Sequence, residues 1–257
     1  MINNFSLNSS INAVVDSIER TSTGVEGLDD LLNGGYPKGC IVLVSGTPGT
    51  GKTIICFQFL YAGLKSGGKA LYLSSDEPIQ NLLQEAEKFN IPLKQYRDND
   101  QLKLLYLDPS NGDIYEDIKR EISNTEYSRI VIDSLSPLAE TPIWMVNNGQ
   151  EIVPSADSVN TVSYPIESIQ AKRMHLRRLI GDLKNIPATV LLTSEIPEGS
   201  RSLSRDSVSE FLADGIILLD LDTTMDRRKL TIRKMRKTKH TLKPQNIEIT
   251  ENGIKII

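Results

Sequence analysis

The sequence predicts an α/β fold: a mostly parallel twisted sheet flanked by helices, with an antiparallel strand extension at its C-terminal end. Three observations predict it. From Lys38 onward, short β-like apolar runs alternate with stretches of helical periodicity, which is the pattern of βαβ units. After about Asp214 the helical stretches stop and strands follow one another. Between the last two strands stands Asn252-Gly253, a tight-turn dipeptide that closes a hairpin.

Residues 1–20 are rich in Asn and Ser and read as a tail, with a short helix over Ile11–Ile18. Residues 21–257 then read as a single domain. Its apolar run Cys40–Ser45 is the first strand of the alternation, and Thr53–Ser66 the helix that follows. Ala70–Ser74 and Ile79–Phe89 repeat the strand and helix, and Leu102–Leu107, Ile114–Ser123 and Arg129–Asp133 continue them. Helix Ile169–Leu183 leads to strand Thr189–Thr193. The closing strands are Gly215–Leu221, Lys229–Arg236, Ile247–Thr250 and Ile254–Ile257. Two long polar segments interrupt the pattern, an insertion at about 140–168 and the loop Ile196–Ser209; loops of that length are usually functional or mobile.

Bulk properties narrow the function. A chain of 257 residues with 39% apolar and 24% charged residues is an ordinary globular protein with ample core. Its net charge of -4 does not suggest a general nucleic-acid or membrane binder. No apolar stretch approaches the roughly 20 residues of a membrane span. The N-terminus has neither a basic n-region nor an apolar h-region, so a cytoplasmic location is expected. Cys40 and Cys56 lie outside any CxxC or His-rich setting and read as small core residues in a reducing compartment.

The chemistry begins at Gly46-Thr47-Pro48-Gly49-Thr50-Gly51-Lys52-Thr53, which satisfies G-x-x-x-x-G-K-[ST] with a strand before it and a helix after it. Glycines let such a loop wrap with its N–H groups inward, and the helix N-terminus favours phosphate. Lys52 would reach the β and γ phosphates of ATP, the Thr53 hydroxyl would ligate Mg²⁺, and Ile54 completes the nucleotide-binding run. Such a loop needs an acid for the magnesium shell. Asp133, at the C-terminal end of the apolar strand Arg129–Asp133, stands where ligands bind in open parallel sheets.

Upstream of that loop runs Thr23-Gly24-Val25-Glu26-Gly27-Leu28-Asp29-Asp30-Leu31-Leu32-Asn33-Gly34-Gly35-Tyr36-Pro37-Lys38-Gly39, and downstream, in order, come "DEP", "VIDSLSPL", "LLTSE", "EFLADGIILL" and "KMRKTKH". These segments resemble the RecA/RadA-like ATPases, most closely the KaiC-like branch, over roughly residues 20–257. The resemblance implies a RecA-type core that assembles into rings, commonly hexamers, with ATP at subunit interfaces. It implies that Lys234, Met235, Arg236, Thr238 and His240 face the nucleotide of the neighbouring subunit. Taken alone, the strand pattern agrees in part: Lys234 and Arg236 are two apart, hence on one face about 6.5 Å from each other, with Leu230 and Ile232 further back on it. Fixed cations of this kind stabilise phosphoryl charge as an arginine finger does, while a solvated basic edge strand has the same spacing.

Further residues acquire roles by the same resemblance. Relatives usually carry Glu-Glu after the second strand, the first orienting the attacking water; here Asp76 and Glu77 occupy those places, and either could act as the base, with Asp76 also placed to cap the helix at Ile79. Ser194 takes the γ-phosphate-sensing position at a strand end, and Lys88 and Phe89 lie at the base edge of ATP. Glu210 and Phe211 replace the Ser-Thr pair that certain KaiC domains phosphorylate, which argues against that modification. Helix 169–183 carries Lys172, Arg173, His175, Arg177 and Arg178 as a solvated face.

Three functions remain open: a Mg²⁺-dependent ATPase that drives conformational change in a ring, a nucleotide-gated scaffold with negligible turnover, and a recombinase-like DNA-binding ATPase. The cations Arg227, Arg228, Lys229, Arg233, Lys237, Lys239 and Lys243, with Arg201 and Arg205 in the loop, leave room for nucleic acid, but aromatic interleaving for base stacking is sparse. Any protein partner is unspecified.

Overall fold

The computed structural model describes residues 18–108, 114–123, 127–140, 146–147, 150–151 and 169–257. Almost all of the helix expected over Ile11–Ile18, and most of the 140–168 insertion, lie outside the described residues.

In chain order the elements are β1 (Arg20–Thr21), α1 (Leu28–Leu31), β2 (Tyr36–Pro37), β3 (Ile41–Gly46), α2 (Lys52–Lys65), β4 (Ala70–Ser74) and α3 (Ile79–Lys88). Next come α4 (Leu93–Asp98), β5 (Leu102–Tyr106), α5 (Ile114–Ser123), β6 (Arg129–Asp133), α6 (Leu135–Glu140), β7 (Val146–Asn147) and β8 (Gln150–Glu151). The last are α7 (Ile169–Lys184), β9 (Thr189–Glu195), α8 (Ser209–Leu212), β10 (Gly215–Asp222), β11 (Arg227–Met235), β12 (Gln245–Thr250) and β13 (Gly253–Ile256). A nine-stranded sheet runs in the order β13-β12-β11-β10-β3-β9-β6-β4-β5. From β10 to β5 every neighbouring pair is parallel, and from β10 outward through β13 every pair is antiparallel. The predicted sheet and its C-terminal extension are both present.

The central strands β3, β4 and β6 are buried along their whole length, as parallel strands covered on both faces must be. Their side chains alternate between two cores. Val42, Val44, Tyr72, Val131 and Leu191 pack toward α2, α3 and α4, while Ile41, Leu43, Leu73, Ile132 and Leu192 pack toward α5, α6 and α7. This alternation decides which polar side chains at the strand ends can meet.

The segment before β3 is tied on by polar contacts. Arg129, buried at the start of β6, donates from Nη1 to Ser22 O at 2.7 Å and Phe59 O at 2.5 Å, with its guanidinium 4.6 Å from the Phe59 ring centroid. Gly63 makes room for it, since a Cβ there would lie 2.2 Å from Arg129 Nε. Strands β1 and β2 pair as a two-stranded clip, Arg20 opposite Pro37 and Thr21 opposite Tyr36. Both cysteines are free and buried, as expected.

One expectation about side-chain faces is corrected. Ile216 pairs with Lys234 but Ile217 pairs with Ile232, so Arg233 is an extra residue in β11. A bulge of one residue reverses the alternation beyond it. Met235, rather than Lys234, therefore joins Leu230 and Ile232 in the core. The short helices α1, α4, α6 and α8 were not predicted, because segments of four to six residues carry too little periodicity to register.

Candidate nucleotide site

The C-terminal ends of four parallel strands converge on the glycine-rich loop. Gly46 ends β3 abreast of Glu195 at the end of β9, and Ser74 ends β4 abreast of Asp133 at the end of β6. The loop runs from Gly46 into α2, whose first residues are Lys52 and Thr53. Gly49 and Gly51 take φ values of 76° and 100°, a region that favours glycine.

Lys52 curls back over the loop, its Nζ donating to Gly46 O at 2.9 Å and Thr47 O at 3.0 Å. Burial pushes its ammonium below the ordinary lysine value, and Glu195, Asp133 and Asp76 pull it back up. Among the described residues its hydrogen-bond partners are carbonyls, and a partly desolvated cation so held suits an incoming anion such as a phosphate group. Asp133 is the hub of the acidic side. Its Oδ2 accepts the Thr53 hydroxyl at 2.8 Å and the Tyr72 hydroxyl at 2.6 Å, and its Oδ1 accepts the Thr193 hydroxyl at 2.5 Å. A hydroxyl that donates to a carboxylate keeps its lone pairs for a metal, so Thr53 and Asp133 suit Mg²⁺ beside phosphate oxygens. Among the described residues no group of three or more His, Cys, Asp or Glu could hold a metal unaided.

Asp76 belongs to this cluster. Its Oδ2 accepts the Ser134 hydroxyl at 2.7 Å. Burial raises its carboxyl above the usual aspartate value, the Ser134 hydrogen bond opposes the rise, and Asp133 and Glu195 add to it. Ser134 is itself placed, receiving Ser75 Oγ at its carbonyl and donating its N–H to Ser75 Oγ. Glu77 is exposed, as the half-covered Asp76 is too, and its Oε2 accepts Asn81 Nδ2 at 3.1 Å on the outer side of α3. Capping of α3 by Asp76 is not observed: Pro78 is the N-cap, without a side-chain cap bond, because the carboxylate is committed to Ser134.

The structure places Ser194 on the other face of the sheet. It follows Leu192 into the second core, and its Oγ accepts Arg205 N–H at 3.0 Å. Thr193, one residue earlier, is the strand-end hydroxyl that reaches Asp133. Tyr72 and Thr193 are thus site residues that sequence reasoning passed over. The available signal was parity, since both share a face with Val131 and Asp133.

A family model described as ATPase: KaiC matches residues 21–148 and 145–257. The chain belongs to the KaiC family of ATPases. It is 30% identical over 251 residues to a circadian clock oscillator protein KaiC of Picosynechococcus, covering 96% of this chain and 46% of that one. Against a UPF0273 protein of Aeropyrum pernix the identity is 34% over 245 residues, covering 92% and 93% respectively. The chain therefore spans about half the length of the clock proteins it matches and nearly all of the archaeal one. The crystal structure of a KaiC-like protein from Pyrococcus horikoshii superposes with a TM-score of 0.75 at 28% identity, covering 93% of this chain and 99% of that one.

In this KaiC-family chain the end of β11, Lys234 and Met235 with Arg236 after it, stands apart from the glycine-rich loop. Gly46 lies abreast of Leu219, whereas Met235 lies abreast of Gly215. The stretch of β10 between those levels spans about 13 Å. Met235 is buried, and the Lys234 ammonium donates to Ala213 O at 2.6 Å and Glu210 O at 3.3 Å, which closes the end of α8. Arg236 is exposed and pairs with Asp214 at 3.4 Å, Thr238 Oγ1 accepts Arg20 Nη1 at 2.6 Å, and His240 Nδ1 lies 3.2 Å from Thr241 O. The opposite end of β11 does reach the loop, with Arg228 Nε 3.4 Å from Gly49 O, a proximity that spacing could not reveal.

The other expected positions divide. Phe89 lines a cavity of about 280 Å³ with Gln58, Tyr61, Lys65 and Asn252, and Lys88 does not line it. Loop Ile196–Ser209 is tied to its own domain: Leu203 O accepts Ser45 Oγ, Leu203 N–H donates to Glu210, and Asp206 accepts Val208 N–H and Ser209 N–H. Among the described residues, no helix is long and apolar enough to cross a membrane.

Proposed function

We propose that this KaiC-family chain binds ATP with Mg²⁺ and hydrolyses it, and that a second copy completes the site within a ring, commonly a hexamer, which uses the reaction as a conformational switch in the cytoplasm. One observation carries the first part: Lys52, Thr53, Asp133 and Asp76 meet at one edge of the sheet, each with partners consistent with its role. Thr53 and Asp133 would hold the magnesium ion, which when bound neutralises charge on the β and γ phosphate oxygens. Lys52 gives up its carbonyl contacts for phosphate. Asp76 orients a water molecule and takes its proton, Ser134 fixing which oxygen faces the water. Both acids are exposed, and Asp76 is favoured over Glu77 because it is bonded to Ser134, the residue after Asp133, whereas Glu77 turns toward Asn81. The support for self-association is geometric: Arg236 and Thr238 lie at the sheet end away from their own loop, so phosphate contact by them requires another copy's loop.

The decisive measurement is ATP turnover against Mg²⁺ and protein concentration, with the assembly mass determined in parallel. Wild type should turn over slowly, with a rate per chain that rises as assemblies form, and Lys52→Ala should be inactive. Wild type that binds ATP yet turns over no faster than Lys52→Ala would establish a non-hydrolysing scaffold. Stimulation by single-stranded DNA that collapses with salt would favour the recombinase-like reading.

A further inference from the structure

Arg20 lies before the glycine-rich loop and the whole central sheet, yet its guanidinium ends at Lys237 and Thr238, in the segment proposed to face a neighbouring copy's nucleotide. Nη1 donates to Thr238 Oγ1 at 2.6 Å and to Gly35 O at 3.4 Å, and Nη2 donates to Lys237 O at 3.2 Å. Lys237 has φ 57°, a left-handed conformation that a lysine rarely adopts, and it turns the chain directly after Arg236. The turn therefore has two anchors. Asp214 holds Arg236 from the sheet, through its carbonyl at 2.9 Å to Arg236 N–H and its carboxylate at 3.4 Å to the guanidinium. Arg20 holds the next two residues from the N-terminal clip.

The clip is built to place that arginine. Arg20 is paired opposite Pro37 in β1–β2, and Lys38 N–H donates to Glu19 O at 2.9 Å. Gly35 permits the close approach: its φ is 118°, and a Cβ there would fall 2.4 Å from Thr21 O. An arginine fork suits this task because one planar group reaches a carbonyl and a hydroxyl at once.

We propose that Arg20 is a positioning residue for the contact in trans: it sets the aim of Arg236 and Thr238 toward the nucleotide of a neighbouring copy. The inference rests on the reading that this segment acts between copies. It assigns to the N-terminal clip a part in turnover that the phosphate-loop residues do not share.

Mixing experiments on the full chain test it. Arg20→Ala should lower turnover roughly tenfold to a hundredfold, the range expected when reacting groups are misaimed, and leave binding of a fluorescent ATP analogue to its own loop unchanged. Mixed with Lys52→Ala, it should recover activity, because the Lys52→Ala copy presents an intact clip and segment to the intact loop of the Arg20→Ala copy. Mixed with Arg236→Ala it should recover nothing, both defects lying on the same side of the interface. Arg20→Lys, which keeps the charge but loses the fork, should fall between, and it serves as the test variant if Arg20→Ala does not fold. If Lys52→Ala with Arg236→Ala recovers but Lys52→Ala with the Arg20 variant does not exceed the sum of its parts, Arg20 does not act on that side and the proposal fails. If Lys52→Ala with Arg236→Ala also shows no recovery, the reading in trans falls, and this inference with it.

Discussion

Tyr72→Phe isolates one hydroxyl at the centre of the site. Tyr72 is fully buried, with its ring 6.0 Å from that of Phe57, and phenylalanine preserves that packing. What is lost is the bond at 2.6 Å to Asp133 Oδ2. Hydrogen bonds to charged groups contribute about 1.5–3 kcal/mol net. Asp133 retains Thr53 on the same oxygen and Thr193 on the other, so it is not left unpartnered and the loss belongs near the lower end, about 1.5–2 kcal/mol. For a chain of this size that corresponds to a fall in Tm of about 3–8 °C. The carboxylate also loses one of the bonds that fix its rotamer, so the Mg²⁺ concentration needed for half-maximal ATP binding should rise several-fold, while Mg²⁺-free ATP binding stays unchanged. Calorimetry without nucleotide and a titration of ATP binding against Mg²⁺ measure the two effects separately. A Tm within about 1 °C of wild type together with an unshifted Mg²⁺ dependence would refute the argument that Tyr72 holds Asp133.

Other outcomes follow from the same geometry. Asp76→Asn should abolish turnover while ATP still binds, whereas Glu77→Gln should keep most of the rate; the reverse ranking in a steady-state assay would transfer the base to Glu77. Because the Asp76 carboxyl is raised and only its ionised form accepts a proton, turnover should decline as pH falls through a value above 3.8, the ordinary aspartate position, and a pH–rate profile locates that limb. Arg129→Met removes two bonds from a buried guanidinium to carbonyls and should cost about 2–4 kcal/mol in a denaturant titration; a loss under about 0.5 kcal/mol contradicts the anchoring role. Gly35→Ala forces a Cβ toward Thr21 O at positive φ and should cost about 1–3 kcal/mol, read in the same titration.

Several features were determined by sequence alone. Alternating strand and helix patterns, then strands only, specified the sheet and its antiparallel end, because each element's period is a local property of the chain. The glycine-rich loop between strand and helix was equally legible, since glycines, lysine and threonine at fixed offsets dictate its local backbone. Asp133 could be named because a strand-ending acid next to such a loop has a defined place in a parallel sheet.

Tertiary structure decided the rest. Spacing placed Lys234 with Leu230 and Ile232, but the extra Arg233 reversed the alternation and sent Met235 into the core instead. A bulge arises from pairing with another strand, and period-two counting within one strand cannot see it. Residue order favoured Ser194, whereas the packing of two cores on opposite faces turned Thr193 toward Asp133 and Ser194 toward Arg205. Asp76 and Glu77 are neighbours in sequence and equal in chemistry. What separates them is Ser134, brought alongside by the pairing of β4 with β6: it binds the Asp76 carboxylate, while Glu77 accepts Asn81 and both acids stay exposed. The clasp of Arg20 on Lys237 and Thr238 joins opposite ends of the chain, and such a contact exists only once the sheet has brought those ends together.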